Sequence, residues 1–312
     1  MHIDVTPAEA QTILKAMRAV AAAGAAITAA DRTSVVAAAR YIFQIELSPD
    51  LAGLAPARAE ELKALAAKPD LATEAVRFAT VMAFVDGTLD NAKLNAVTGL
   101  AATLGVKADF VDDITEVAQG HLRSATAHMI RANLESLTGK PWNTDDAMPR
   151  LMPYKTKPDP ALAARFHTLL DLPKETFGHA FAAFYRANTY AFPGEEEALN
   201  FAFGAPPDSS HLLAGYDTSP RGEVLASTLT AAMRRSKAMS GHVLPVIFSW
   251  HLGIPLNELA GSAKGTLDPQ ESRHAWACGE RMKVDLLGPG WDFRAATAQP
   301  VDSVRAHIGL PD

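Results

Sequence analysis

Apolar residues recur at intervals of three and four along most of this chain, and this spacing restricts the fold more than any other feature of the sequence. From Pro7 to about Leu137, alanine, leucine, valine and isoleucine follow this interval, which places them on one face of successive α-helices. The downstream half has the same spacing, broken by proline and glycine, and lacks runs of alternating β-branched residues. The sequence therefore predicts an all-α protein.

A segment rich in proline and turn-forming residues separates the helical pattern into two parts. The segment covers residues 141–160, and its composition is typical of a linker between domains. A chain of 312 residues has enough length for two domains of ordinary size. We therefore predict two helical domains, at residues 1–140 and 161–312, joined by this linker.

Charge and composition limit the kinds of partner that this chain can have. The formal net charge is -6 at pH 7, and no segment concentrates lysine and arginine, which argues against binding to nucleic acid. The N-terminus lacks the basic and apolar regions of a secretory signal, so we expect a cytoplasmic protein. Arg234, Arg235 and Lys237 form the densest basic spot, which predicts a solvated face or peripheral contact with anionic lipid.

The longest apolar stretch runs from Val243 to Ile254 and is interrupted by Pro245. It is shorter than the roughly 20 residues that a membrane-spanning helix needs. Two interpretations remain open, namely a buried helix and an apolar wall that faces a lipid-like ligand. The single cysteine, Cys278, excludes an intramolecular disulfide and is interpreted as a small core residue.

An internal repeat marks the N-terminal half. Residues 27–43 and 89–104 each have the pattern of a turn, a capping residue and a helix. The turn that leads into the second copy, from Asp86-Gly87 to Asp90, resembles the acidic turn of TerB-like domains of tellurite-resistance proteins, which are small helical bundles that can carry metal-binding carboxylates. Because Lys93 and its neighbours stand where that pattern has a further acid, we expect a plain Asp-Gly turn joined to an Asp-capped helix.

Asp208, His211 and Glu223 gather two carboxylates and an imidazole within one short segment. On a helix, Asp208 and His211 would share a face, and a turn near Gly215 would bring Glu223 back opposite them. Carboxylates and imidazoles are the ligands that Zn²⁺ and similar divalent metals take in proteins. The sequence predicts a metal site with these three ligands and an open position for water or substrate, which is typical of catalytic zinc.

Two of these residues also fit a simpler structural role. Pro206, Pro207 and Asp208 are typical of the start of a helix, where proline presets the backbone and a carboxylate accepts from free amides. Ser219 followed by Glu223 is typical of a helix cap and an acidic first turn. The sequence leaves the structural and the metal-binding interpretations open.

The same segment resembles a known family. From His211-Leu-Leu-Ala-Gly to Gly222-Glu223, the chain resembles the segment that closes the His-Asp-x-x-His plus distant Glu motif of the Coq-four family of ubiquinone (coenzyme Q) biosynthesis proteins. Residues 172–178 and 276–310 point to the same family, so the similarity spans roughly the C-terminal half. The first histidine of the motif falls at Pro207, which cannot bind a metal. A replacement would have to come from the isolated histidines His167, His179, His242, His251 and His274.

The resemblance implies a function in polyprenyl-quinone biosynthesis. It implies a metal-dependent enzyme in which the quinone precursor loses its ring carboxylate and gains a hydroxyl beside a lipid groove, with Zn²⁺ as the expected cofactor. The alternative is a non-catalytic protein with a degraded metal site that binds lipid or organises other biosynthetic enzymes, alone or as a homo-oligomer. A serine hydrolase is disfavoured because no Gly-x-Ser-x-Gly elbow occurs.

Overall fold

The computed structural model describes residues 4–143, 158–256 and 261–310. Within these ranges the chain forms fifteen α-helices and no β-strand, which confirms the all-α prediction. None of the helices in the described ranges is long and apolar enough to cross a membrane. Most of the predicted linker, residues 144–157, lies outside the described ranges, and the division into two domains stays a prediction.

Seven helices precede the predicted linker. Their starts follow local sequence signals, because Thr6 and Thr28 each cap a helix and donate a backbone hydrogen bond in return to the carboxylate three residues later. Gly105 and Gly139 end two others in the left-handed conformation that glycine adopts without strain. The helices are α1 (Pro7–Ala23), α2 (Ala29–Ala37), α3 (Ala59–Ala66), α4 (Pro69–Met82), α5 (Asn91–Leu104), α6 (Asp109–Ala118) and α7 (Leu122–Thr138).

Eight further helices follow in the described ranges, and one of them lies between two wider helical turns. The short helix α12 is flanked by π-helical turns at Ala238–Val243 and Ile247–His251, so that one continuous helical segment covers residues 238–251. The helices are α8 (Pro160–His167), α9 (Phe177–Ala187), α10 (Phe201–Ala214), α11 (Pro220–Arg234), α12 (Leu244–Val246), α13 (Pro269–Arg281), α14 (Phe293–Thr297) and α15 (Val301–Ile308).

The larger hydrophobic core combines residues from both halves of the chain. Phe78 at α4 packs edge-on against Trp276 of α13 at 5.6 Å between ring centroids, and Phe84 packs against Phe248 at 5.4 Å. Residues 243–248 are almost entirely buried in this core, apart from the half-buried Val246. The apolar stretch is therefore largely a buried helical segment of the core, and its contact with a lipid-like ligand stays a prediction.

A second core lies among the C-terminal helices and is rich in phenylalanine. Phe181 of α9 contacts Phe177 and Phe293, with ring centroids 6.0 and 4.9 Å apart. Leu229 of α11 and Cys278 of α13 are also buried here, so the interpretation of Cys278 as a small core residue is confirmed. Helices α11 and α13 approach closely at Gly279, where an added Cβ atom would lie 2.2 Å from the carbonyl oxygen of Leu229.

Candidate functional site

Helix α10 carries two of the three predicted metal ligands, but it begins earlier than the prolines suggest. Asn200 caps it by accepting a hydrogen bond from the amide of Ala202 at 3.0 Å, so Pro206 and Pro207 lie inside the helix. The expectation that these prolines start the helix is wrong. Both prolines lack the N–H that would donate to a carbonyl of the preceding turn. Helix α10 tolerates these two missing hydrogen bonds because the surrounding core packs against it.

A tight reversal between α10 and α11 brings Glu223 back to His211. Gly215 ends α10 with a φ of +71°, and Ser219 caps α11 by accepting a hydrogen bond from the amide of Gly222. Glu223 lies in the first turn of α11, as the sequence predicts. Its Oε1 atom is 3.6 Å from Nε2 of His211. The predicted turn near Gly215 therefore does bring these two side chains together.

The hydrogen bonds of His211 fix which of its ring nitrogens is available. Nδ1 lies 3.0 Å from the carbonyl oxygen of Asp217, which can only accept, so Nδ1 carries a proton. Burial lowers the pKa of the His211 imidazole, but the carboxylates of Glu223 and Asp208 outweigh burial and raise the pKa above its usual value. Nε2 is the ring nitrogen that faces Glu223. It is either protonated or has a lone pair that can bind a cation.

The distance between His211 and Glu223 fits an ion pair and also fits two ligands of one metal ion. At 3.6 Å it exceeds the usual length of an N–H···O bond. Two ligand atoms on one tetrahedral Zn²⁺ lie roughly 3.3–3.5 Å apart, given bond lengths near 2.0–2.2 Å. Anchoring Nδ1 on a backbone carbonyl is also how metal-binding histidines are oriented. These two residues fit one edge of a zinc site.

The third predicted ligand, Asp208, is held by a different partner. Its Oδ2 atom accepts a hydrogen bond from the hydroxyl of Tyr185 at 2.5 Å. Burial raises the pKa of the Asp208 carboxyl to about 6, although the bond from Tyr185 acts in the opposite direction. Across the described ranges, no three His, Cys, Asp or Glu side chains converge into a complete metal site. The structure brings His211 and Glu223 together and leaves Asp208 against Tyr185.

A small polar cavity of about 120 Å³ adjoins His211 and Glu223. It lies between α7, α10, α11 and the π-helical turn that contains His242. The His242 side chain is buried, and its Nε2 lies 2.7 Å from Oγ of Ser136 on α7. Burial lowers the pKa of His242 to about 4, so this imidazole is neutral at pH 7. The cavity is lined by Asn133, Leu137, Pro207, His211, Glu223, Ala226, Ser227, Thr230 and His242.

Of the five histidines that the sequence offers in place of the first histidine of the resembled motif, only His242 lines this cavity. His167 contacts Glu195, and His251 lies 3.1 Å from the carbonyl oxygen of Phe84. The sequence contains no signal for the contribution of Asn133 and Ser136, because α7 belongs to the other half of the chain. Only the fold brings these residues to the site.

A larger and mostly apolar cavity of about 560 Å³ lies in the second core. Arg165 and Arg294 also line it, and neither forms an ion pair within the described part of the chain. The indole N–H of Trp291, a further lining residue, is buried and has no hydrogen-bond partner among the residues that the structure describes. Pro206 lines this cavity while the next residue, Pro207, lines the small polar one. The apolar lining includes Leu162, Phe166, Leu169, Phe201, Ala202, Ala205, Leu286, Leu287 and Phe293.

The acidic turn in the N-terminal half holds a lysine side chain. Gly87 has a φ of +76°, and Asp90 caps α5 by accepting from the amide of Ala92 at 2.8 Å, so the predicted Asp-Gly turn and Asp cap are confirmed. The Nζ atom of Lys93 lies 2.6 Å from Asp86 and 3.0 Å from Asp31. Its ammonium group fills the position between these carboxylates that a bound cation would need.

Comparison of the chain with models of protein families, with curated proteins and with solved structures gave no match. Both family resemblances therefore stay predictions, and so do the zinc, the lipid ligand and the protein partners that they imply.

Proposed function

We propose that this chain binds a polyprenyl-quinone precursor, with its apolar tail in the large cavity and its polar ring near His211 and Glu223. The observation that carries the proposal is the placement of two consecutive residues of α10. Pro206 lines the apolar cavity and Pro207 lines the polar one. Helix α10 thus borders both a mostly apolar cavity and a small cavity whose lining residues are mainly polar, which supports an amphipathic ligand.

The large cavity has the properties of a site for an apolar tail. Its volume of about 560 Å³ falls within the roughly 300–1,000 Å³ of small-molecule sites. Apolar side chains form most of its lining, so burial of a hydrocarbon chain there is favoured by about 25 cal/mol per Å². The indole ring of Trp291 adds a further aromatic surface to this lining.

In the catalytic form of the proposal, His211 and Glu223 hold a divalent cation beside the ring of the ligand. Nitrogen and carboxylate donors suit Zn²⁺, and Asp208 is the third ligand that the family resemblance implies. When bound, such an ion polarises a carboxylate or phenolate oxygen. His211 fixes the position of the ion through its bond to Asp217, and Tyr185 holds the Asp208 carboxylate one helical turn away.

A non-catalytic lipid-binding or scaffolding protein is the second candidate. Two observations favour it, namely the proline at position 207 and the engagement of Asp208 by Tyr185. In this form the apolar cavity keeps its role while the polar site binds no metal. Peripheral membrane contact and self-association belong to either candidate and stay predictions.

Ligand binding tests the shared part of the proposal. We would titrate the purified chain with a short-tailed polyprenyl hydroxybenzoate and follow the fluorescence of Trp291 and the other tryptophans. Ala202→Phe places a ring in the apolar cavity and is expected to weaken binding at least tenfold. Ala164→Phe is the matched control, because Ala164 is exposed on α8 outside the cavity lining. Equal affinity of both variants and the wild type would contradict the proposed tail site.

Metal content separates the two candidates. Elemental analysis of protein purified without chelator would be compared with the double variant His211→Ala, Glu223→Ala. About one divalent ion per chain, lost in the variant, supports the enzyme. Protein that binds the lipid but holds no metal supports the non-catalytic candidate.

A further inference from the structure

We propose that His242 supplies the imidazole that this chain lacks at position 207, so that a divalent cation binds between His211, Glu223 and His242. The inference rests on the proposed function, because it adds a residue to the same site. It starts from the lining of the small cavity, where Pro207 and His242 face the same space as His211 and Glu223. A second imidazole is therefore present although the motif position has lost its own.

Hydrogen bonding determines which nitrogen of His242 is available to a ligand. The Ser136 hydroxyl has one hydrogen and lies 3.5 Å from the carbonyl oxygen of Ser236 and 2.7 Å from Nε2 of His242. In the tautomer whose Nε2–H donates to the Ser136 oxygen, Nδ1 has a lone pair, and this is the tautomer that the proposed site requires. The bond to Ser136 is the one hydrogen bond of this ring within the described ranges.

His211 and His242 thus share one arrangement. Each ring has one nitrogen anchored on a protein oxygen, Asp217 for His211 and Ser136 for His242, which leaves the other nitrogen for a ligand. This is how proteins orient histidines around bound metals, and the anchoring groups raise the basicity of the free nitrogen. Two imidazoles and one carboxylate are also a donor set that catalytic zinc sites use.

The size of the cavity sets what can bind there. A volume of about 120 Å³ accepts an ion with a few water molecules but not the apolar tail of an organic ligand, which needs the larger cavity. No three donors converge in the described structure, so at least one side chain has to move when the ion binds. Glu223 has the room to do so, because its side chain is 35% exposed while that of His211 is 7% exposed.

Residues of the N-terminal half also support this site. Ser136 anchors His242 directly, and the side-chain amide of Asn133 donates to the carbonyl oxygen of Gly241 at 2.6 Å. Both residues belong to α7. Helix α7 therefore holds the π-helical turn in the position from which His242 reaches the cavity.

Metal titration of the chelator-treated full chain tests the inference. Zn²⁺ binding would be measured by calorimetry and Co²⁺ binding by visible absorption, without any assay of activity. We expect His242→Ala and His242→Gln to raise the Kd at least tenfold. Ser136→Ala should raise it by roughly 10–100-fold, because loss of a group that orients a metal-binding histidine has an effect of this size. His274→Ala is the matched control, because His274 is exposed on α13 away from the cavity. Its Kd should equal that of the wild type.

The outcomes separate this inference from the proposed metal site itself. If His211→Ala abolishes binding while both His242 variants keep the wild-type Kd, the role of His242 is overturned and the His211–Glu223 site stands. If the wild type binds neither ion, both are overturned. Should the His242 variants fail to fold, ¹⁵N spectra of the wild type decide the question, because Zn²⁺ is expected to shift the Nδ1 resonance of His242. An unchanged resonance at saturating Zn²⁺ overturns the inference.

Discussion

The ammonium nitrogen of Lys93 lies 3.0 Å from Oδ1 of Asp31, and both side chains are excluded from solvent. Asp31 belongs to the first copy of the internal repeat and Lys93 to the second, so this ion pair joins the two copies. Asp31 also closes the cap of α2 by accepting from the amide of Thr28 at 2.9 Å. The start of α2 and the packing of α5 therefore depend on one buried charge.

Replacing this lysine should destabilise the fold severely. Lys93→Met keeps most of the side-chain volume but leaves the carboxylates of Asp31 and Asp86 facing each other without a cation. We expect a loss of about 3–5 kcal/mol in the free energy of unfolding, measured by chemical denaturation. Lys63→Met, on the exposed side of α3, is the control and should stay within about 0.5 kcal/mol of the wild type. Equal stability of the two variants would contradict the structural role of the ion pair.

The bond between Tyr185 and Asp208 should contribute to stability independently of any metal. Tyr185→Phe removes the hydroxyl that donates to Asp208 and leaves this carboxylate oxygen without that donor. We expect a loss of about 1–3 kcal/mol, seen as a lower midpoint of thermal unfolding. Tyr190→Phe removes a hydroxyl from a side chain that is 42% exposed and should change the midpoint much less. A reversed order of the two variants would count against the proposed contact.

The stability of the protein should fall as pH rises because of Glu280. Burial, with the nearby Glu74 carboxylate, raises the pKa of Glu280 in the folded chain to about 8, above the ordinary 4.5 of the unfolded chain. Between these values the folded state keeps a proton that the unfolded state has released, so the stabilisation present at low pH is lost toward pH 8. The glutamine of Glu280→Gln cannot ionise. Between pH 5 and pH 8 the free energy of unfolding of this variant should therefore fall by roughly 2–4 kcal/mol less than that of the wild type.

Denaturation curves at both pH values would measure this difference. Glu60→Gln serves as the control, because Glu60 is exposed on α3 and should leave the pH dependence of the wild type unchanged. A Glu280→Gln variant whose stability follows the wild-type pH dependence would argue against protonation of this buried carboxyl.

Two glycines that both lie inside helices should respond in opposite directions to alanine. Gly279→Ala would place a Cβ atom 2.2 Å from the carbonyl oxygen of Leu229 and 2.8 Å from Cβ of Ala232, so α11 and α13 would have to separate. We expect a loss of about 1–3 kcal/mol from this overpacking. Gly99 on α5 is exposed with no atom within reach of an added Cβ, and Gly99→Ala should gain about 0.5–1 kcal/mol. Calorimetric unfolding of both variants would check the signs.

Local signals in the sequence predicted part of the site. Gly215 and Ser219 indicate a helix end and a helix start, and this reversal by itself brings Glu223 to His211. The start of α10 was not predictable in this way. A proline pair normally begins a helix, but here Asn200 supplies the cap earlier and the core holds the interrupted helix together. Tertiary packing outweighs the local preference of the prolines.

The partners of the site residues could not be predicted, because they are distant in sequence. Tyr185 lies 23 residues from Asp208, and Ser136 lies 106 residues from His242. Helical periodicity identifies which face of a helix is buried, but it carries no information on which other helix covers that face. The two π-helical turns around α12 likewise follow no local pattern that we can identify in the sequence.

The hydrogen bond between the ring of His251 and the carbonyl of Phe84 joins two residues that lie 167 positions apart in the sequence, and Phe84 belongs to the larger core. A ribosome that adds 5–20 residues per second needs roughly 8–33 s to make the intervening chain. During that interval the aromatic face at Phe78 and Phe84 has been synthesised, while the residues that cover it, Phe248 and Trp276, have not. The nascent N-terminal helices therefore present an uncovered apolar surface of the kind that molecular chaperones bind until the C-terminal helices emerge.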